Sequence, residues 1–86
     1  MKNVIKYNQA NLGKKDPKYG GILTDLSTLP VGTYFYVTNG CWRGRIVEIE
    51  GQPAVRVDMT HEIIPFYENP EHNILALTDI RKPAAA

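Results

Sequence analysis

The sequence predicts an all-β domain, five short strands in a small barrel or highly bent antiparallel sheet, with an extended N-terminal arm. Three observations lead there. Short runs rich in Val, Ile, Tyr and Phe recur at roughly 8 to 12-residue spacing, separated by Gly, Pro and Asn, the residues of turns. The stretch FYVTNGCWRGRIVEIEGQPAVRV, residues 35 to 57, reads as three strands joined by two tight turns. Within it and just beyond, PAVRVDM alternates apolar and polar residues, the pattern of a half-buried antiparallel strand.

The arm comprises residues 1 to 21, which hold three Asn, Gly13, Pro17 and the pair Gly20-Gly21. Its segment NQANLGKKDPKYGG keeps no period, so an extended or irregular course is expected, and Val4, Ile5 and Tyr7 offer at most one short edge strand. The barrel domain is expected over residues 22 to 83. In ILTDLSTLP, Pro30 ends an apolar run too short for a lasting helix, so a coiled plug for the barrel is preferred to one helical turn capped by Thr24 or Asp25. Val31-Gly32 opens the strand TYFYVT. The dipeptide Asn39-Gly40 suits a two-residue type I′ turn, with Gly40 at positive φ. WRGRIVEIE follows, then EGQP as the second turn. In PAVRVDM, Val55, Val57 and Met59 are expected to face the core, and Ala54, Arg56 and Asp58 the solvent. Alternation slips in WRGRIVEIE, where Val47 and Ile49 share a face with Arg43 and Arg45, and a bulge at Gly44 would restore it. HEIIPFYENPEHN, broken by Pro65, is an edge strand or bend, and NILALTDI is the last strand. Ala84 to Ala86 read as a cloning scar.

Composition narrows the function classes. Eighty-six residues give one domain with a thin core. A single cysteine, Cys41, forms no internal disulfide and suits a reducing cytoplasm. No apolar run reaches the roughly 20 residues of a membrane span, so no membrane partner is expected. Net charge is +1 but uneven: residues 1 to 19 hold five Lys against Asp16, whereas residues 20 to 80 hold three Arg against eight acids. A mildly acidic body carries a basic arm.

Residues 31 to 57, VGTYFYVTNGCWRGRIVEIEGQPAVRV, resemble the opening strands of SH3-like barrels of the KOW and Tudor type. In those, a strand entering through a Gly meets a tight turn, a Gly-containing strand and then a valine-rich one. The resemblance covers about a third of the chain and implies a five-stranded SH3-like barrel. Where the KOW pattern places a further Gly, this chain has Val47 or a neighbour, so the resemblance bears on fold rather than on an RNA- or polymerase-contacting motif.

Catalysis is not expected. His61-Glu62, with Asp58 nearby, and Glu71-His72 are adjacent pairs whose side chains diverge on extended backbone. Cys41 has no base placed beside it and is read as a small turn-flanking residue. Cys41, His61 and His72 lack the paired short spacings of a zinc site, and no Gly precedes a helix that would cradle phosphate, so no metal or cofactor is expected. Surfaces remain. With Phe35 and Val37 inward, Tyr34 and Tyr36 face outward; with the phase reversed they are core. Together with Trp42, Arg43, Arg45 and Arg56 they are residue types enriched at binding hot spots, which points first to a non-catalytic protein-binding or adaptor module. The alternative is single-stranded RNA or DNA binding by Lys2, Lys6, Lys14, Lys15 and Lys18 of the arm together with Arg43 and Arg45. Self-association through an exposed edge is a third course.

Overall fold

A computed structural model of the chain describes residues 4–83, so Lys2 and the Ala84 to Ala86 tail lie outside the described residues. The strands are β1 (Ile22–Asp25), β2 (Tyr34–Val37), β3 (Trp42–Ile49), β4 (Gln52–Val57), β5 (Ile63–Pro65) and β6 (Ile74–Arg81). They form one antiparallel sheet in the order β1-β6-β2-β3-β4-β5. The all-β expectation holds. The count is six rather than five, because ILTD is a strand and not a coiled plug: Ile22 to Asp25 pair in register with Leu77 to Ile74. Local sequence says only that the run is short, while the free edge of β6 decides its conformation. Leu26–Thr28 then make one 3-10 turn, capped by Asp25, whose carboxylate accepts from the Ser27 amide at 2.9 Å.

The turns differ from expectation in an instructive way. Asn39-Gly40 is not a two-residue type I′ turn: four residues, 38 to 41, separate the closing pair Val37 and Trp42. The left-handed residue is Cys41, at φ 56°, and its amide donates to the Val37 carbonyl at 2.8 Å. Gly40 is absent from the positive-φ residues. Its missing side chain serves the Trp42 ring instead, since a Cβ there would lie 2.6 Å from Trp42 Nε1. The two-residue turn occurs one hairpin later, where Glu50 (φ 51°) and Gly51 (φ 78°) are closed by Ile49 and Gln52. Two consecutive positive φ values are the signature of type I′.

No bulge occurs at Gly44, which pairs in unbroken register with Phe35 on one side and Val57 on the other. Trp42, Gly44 and Ile46 face inward, and Arg43, Arg45, Val47 and Ile49 face outward. A Cβ on Gly44 would stand 2.7 Å from Trp42 Cζ3 and 3.1 Å from the Phe35 ring. The glycine therefore makes room for two aromatics rather than bending the strand. The irregularity lies between β2 and β6, where pairing jumps from Tyr34–Arg81 to Tyr36–Thr78 and Asp79 takes φ 52°.

The core has two parts on opposite sides of the sheet. Leu26, Phe35, Val37, Ile46, Val55 and Leu77 form the main cluster, with Trp42, Ile64, Phe66 and Leu75 packed against it. Leu23, Ile74 and Ala76 form the second, covered by Ile5, Tyr7 and Leu12 of the arm. In β4 the expected inward set is corrected. Val55 is buried, Val57 is half-buried and Met59 is 88% exposed in the loop after the strand. Val57 sits opposite Gly44, which offers it no side chain to pack on. Ala54 is buried despite facing outward, flanked by its partners Val47 and Pro65. Val55→Ala should therefore cost about 1.5–3 kcal/mol in chemical denaturation and Val57→Ala clearly less. Equal losses would contradict this register.

The arm is irregular, as expected, but it adds no edge strand of its own at Val4 to Tyr7. It is a strap. The Gly13 amide donates to the Leu23 carbonyl at 2.9 Å, the Leu23 amide donates to the Lys14 carbonyl at 3.0 Å, and Lys15 bridges to Ile22. Asp16 is buried at its centre and accepts from the amides of Lys18 (2.8 Å) and Tyr19 (3.2 Å) and from the Tyr7 hydroxyl. Burial, then the hydrogen bond to Asp16, pushes Tyr7 up to about 12 from 10.0. For Asp16, burial pulls upward, but the bonds from Tyr7 and the two amides outweigh it and hold the carboxyl below its ordinary value. The signs follow from linkage. Tyr7's share of stability is intact below pH 10.0 and lost as pH rises toward about 12. Asp16's share is present above its unfolded value of 3.8 and lost as pH falls through the lower folded value. Tyrosinate absorbance should show a tyrosine titrating at about 12 that Tyr7→Phe removes; the absence of so late a step would rule out the buried pair.

Candidate functional site

The outer face of β2, β3 and β4 carries a ladder of tyrosine and arginine. Register builds it, since directly paired residues share a face. One rung runs Tyr34, Arg45, Arg56, Ile63 across four strands, and the next pairs Tyr36 with Arg43. Of the two phases the sequence allowed, the outward one is observed, with Phe35 and Val37 buried and Tyr34 44% exposed. The Arg45 guanidinium lies 5.1 Å from the Tyr34 ring centroid and donates to its hydroxyl at 2.7 Å. Arg43 lies 5.3 Å from the Tyr36 ring centroid. Such contacts hold a guanidinium in place while leaving most of its donors free. The Cys41 thiol beside the Tyr36 hydroxyl pushes that phenol above its ordinary value.

The face is completed by residues that pattern reasoning passed over. Asp79 accepts from Arg43 Nη1 at 3.2 Å and from Arg81 Nε at 3.1 Å, and these two arginines hold its carboxyl below the usual range. The β6 irregularity aims it there, as bulges commonly re-aim a side chain. An Asp in an otherwise apolar last strand, a residue type that tolerates left-handed backbone, was the available signal. Tyr34, Arg43, Asp58, Asp79 and Arg81 line a shallow cleft of about 300 Å³. Arg56 donates to Nδ1 of His61, which holds φ 63° in the loop after β4.

Trp42 meets this face only at its edge, where it lines a cleft of about 390 Å³ with Tyr36, Cys41, Arg43 and Asp58. It points inward, packs edge-on against Phe35 with ring centroids 6.0 Å apart, and lines an apolar groove of about 210 Å³ with Leu26, Val55, Ile64 and Phe66. Strand alternation thus separates Trp42 from Arg45, while Trp42 and Arg43 still meet at the shared cleft. The arm packs on the outer side of β1 and β6, against Leu23, Ile74 and Ala76. Among its lysines, Lys18 lines a small cleft with Tyr7, Asp16 and Asn39 of the β2–β3 turn, whereas Lys14 and Lys15 are exposed along the β1 edge. Lys6 is exposed on the segment leading to Tyr7.

Several of the titratable groups weighed for catalysis make contacts elsewhere. Glu71 accepts from the Gln9 amide at 3.3 Å, and the His72 ring meets Tyr67 edge-on at 5.8 Å. Cys41 is exposed, with its sulfur 3.8 Å from the Thr38 carbonyl. Among the described residues no three His, Cys, Asp or Glu gather as metal ligands, and no helix is long and apolar enough to cross a membrane.

No family model matches the chain, and no solved structure matches it. One curated relative is the SPbeta prophage-derived uncharacterized protein YoqS of Bacillus subtilis (strain 168), 62% identical over 26 residues. That stretch is 30% of this chain and 23% of the relative, so the chain spans well under two thirds of the relative's length. The similarity is to a short segment of a protein whose printed name states no activity.

Proposed function

We propose that the chain is a small non-catalytic binding module that engages an acidic protein segment through Tyr34, Tyr36, Arg43, Arg45 and Arg56. The observation that carries this reading is the ladder itself, with cations braced by tyrosines on a rigid sheet and set before any partner arrives. Ordered side chains lose little entropy on binding, and Tyr and Arg offer large contact area with polar handles. The meander β2–β3–β4–β5, returning through a 3-10 turn at Pro70–Asn73 to β6 beside β2, supports the SH3-like reading of the fold.

A nucleic-acid reading stands second, favoured by the arm lying on the same side of the sheet as the ladder. Three features place it behind. Tyr34 and Tyr36 each already carry a guanidinium against the ring, whereas base-stacking platforms need open aromatic faces. Asp79 already pairs with Arg43 and Arg81. Lys15 lies at the β1 edge, three strands from β3, on the order of 14 Å across the sheet at the usual strand spacing.

The test is a titration, followed by nuclear magnetic resonance, with a blocked peptide alternating Glu and Leu and with a single-stranded oligonucleotide, each at two salt concentrations. The peptide should perturb the five ladder residues, and Arg43→Ala with Arg45→Ala should weaken it by about tenfold or more. Tighter oligonucleotide binding, with a log–log salt slope of about −0.7 per phosphate neutralised, would overturn the proposal.

A further inference from the structure

We infer that the rung Arg45–Arg56 is an oxyanion seat that takes one side-chain carboxylate of the acidic segment; this rests on the reading above and narrows it to one rung. Arg45 and Arg56 are direct cross-strand partners. Side chains so placed begin about 4.5–5.5 Å apart, and like charges directly opposite destabilise a sheet. On the neighbouring positions the fold has answered the same problem with a carboxylate, since Asp79 sits between Arg43 and Arg81. Among the described residues no carboxylate forms an ion pair with Arg45 or Arg56. The counter-charge of this rung is missing from the chain's own described side chains.

The donors of the rung are in surplus as well. Arg45 gives one N–H to the Tyr34 hydroxyl, and Arg56 gives one to His61 Nδ1, an acceptor that adds no charge when the ring nitrogen is unprotonated. Each guanidinium has five N–H groups in a planar fork, so most of both forks is unspent. Arg45 Nε is shut off from solvent and makes no hydrogen bond. A buried donor without a partner costs free energy, and turning that edge of the guanidinium to an arriving acceptor recovers it. The two guanidinium groups rest against Tyr34 on one side of the rung and His61 on the other; swung toward each other, they would offer two planar forks to one carboxylate or phosphate. The ends of the rung choose between them. Tyr34 flanks the cations on one side and Ile63, 39% exposed, on the other. An acidic side chain with apolar neighbours is complementary to that order, and a run of phosphates is not.

Arginine Nε–Hε resonances test the seat in the intact chain without a substitution. Acetate, inorganic phosphate, the Glu-Leu peptide and a single-stranded oligonucleotide are each titrated. With acetate, saturable shifts of Arg45 and Arg56, with Arg43 and Arg81 moving little, are the expected result; the peptide should shift Arg43 as well. Equal, non-saturating drift of all four would overturn the seat. Arg45→Gln and Arg56→Gln should each weaken the peptide by about tenfold, while Lys14→Gln, at the β1 edge, should not. If the peptide binds both Gln variants as it binds the parent chain, the seat falls and the acidic-segment reading survives on Arg43. If acetate saturates Arg45 and Arg56 but the peptide does not bind, the seat stands and the acidic-segment reading falls. Saturation by the oligonucleotide at lower concentration than the peptide would overturn the choice of carboxylate.

Discussion

Phe35→Ala should unfold the domain or bring it close to unfolding. The ring is 2% exposed and sits in the main cluster with Val37, Ile46 and Leu77, packed edge-on by Trp42. Gly44 lies opposite it, so the directly paired position on β3 has no side chain to fill the space a truncation leaves, and the Trp42 ring of that strand lies beside it. Removing a buried Phe side chain costs about 3–5 kcal/mol, more where the site cannot relax. A domain of 86 residues commands about 4–13 kcal/mol in total at the usual stability per residue. The loss is therefore a large part of the whole, and each kcal/mol corresponds to about 4–8 °C in a domain of this size. Thermal and chemical denaturation should both show a fall of at least about 12 °C or its equivalent in midpoint. A fall of under about 4 °C would mean that the space refills and that residue 35 is not the keystone of the cluster.

Deleting residues 1 to 19 is expected to be nearly as damaging, which separates a strap from a tail. The deletion uncovers Leu23, Ile74 and Ala76, all buried, by removing the half-buried Ile5, Tyr7 and Leu12 from above them. Fully burying one such side chain is worth about 1.5–3 kcal/mol, so three half-buried ones amount to roughly 2–4 kcal/mol before any backbone bond is counted. The bonds between Gly13, Lys14 and Leu23 are lost with them, as is the buried Asp16 with its three donors. The β1 edge, now capped, would be left open to pairing with another chain. Loss of cooperative unfolding, or aggregation, is the expected outcome. A truncated chain that unfolds cooperatively with an unchanged midpoint would return the arm to the status of a solvated tail. Binding tests of the ladder accordingly belong on the full chain.

Residue types and alternation settled a good deal unaided. The all-β class, the meander from Tyr34 to Val57 and an edge strand or bend at Pro65 follow from period-2 patterning and proline chemistry. Patterning left the phase of Tyr34 and Tyr36 open, however, and ranked the turn capped by Asp25 behind a coiled plug. Most of the ladder was legible from the same patterning: alternation fixes which residues of a strand share a side. Nearness in sequence grouped Trp42 with the arginines, whereas alternation sends its ring to Phe35 on the inner face and leaves it beside Arg43 at one cleft.

What only the tertiary structure decided concerns partners distant in the chain. ILTD became β1 because β6, about 50 residues later, offered it an edge. Gly44 kept a straight register because Phe35 and Trp42 claimed the volume a Cβ would fill. The type I′ geometry went to Glu50-Gly51, not Asn39-Gly40, because the position of Trp42 at the head of β3 lengthens the first hairpin loop. Asp79 reached Arg43 through a bulge that only the mismatch between β2 and β6 creates. Local sequence sets which conformations are cheap; which of them is occupied depends on contacts whose free energy exists only once the far side of the sheet is in place.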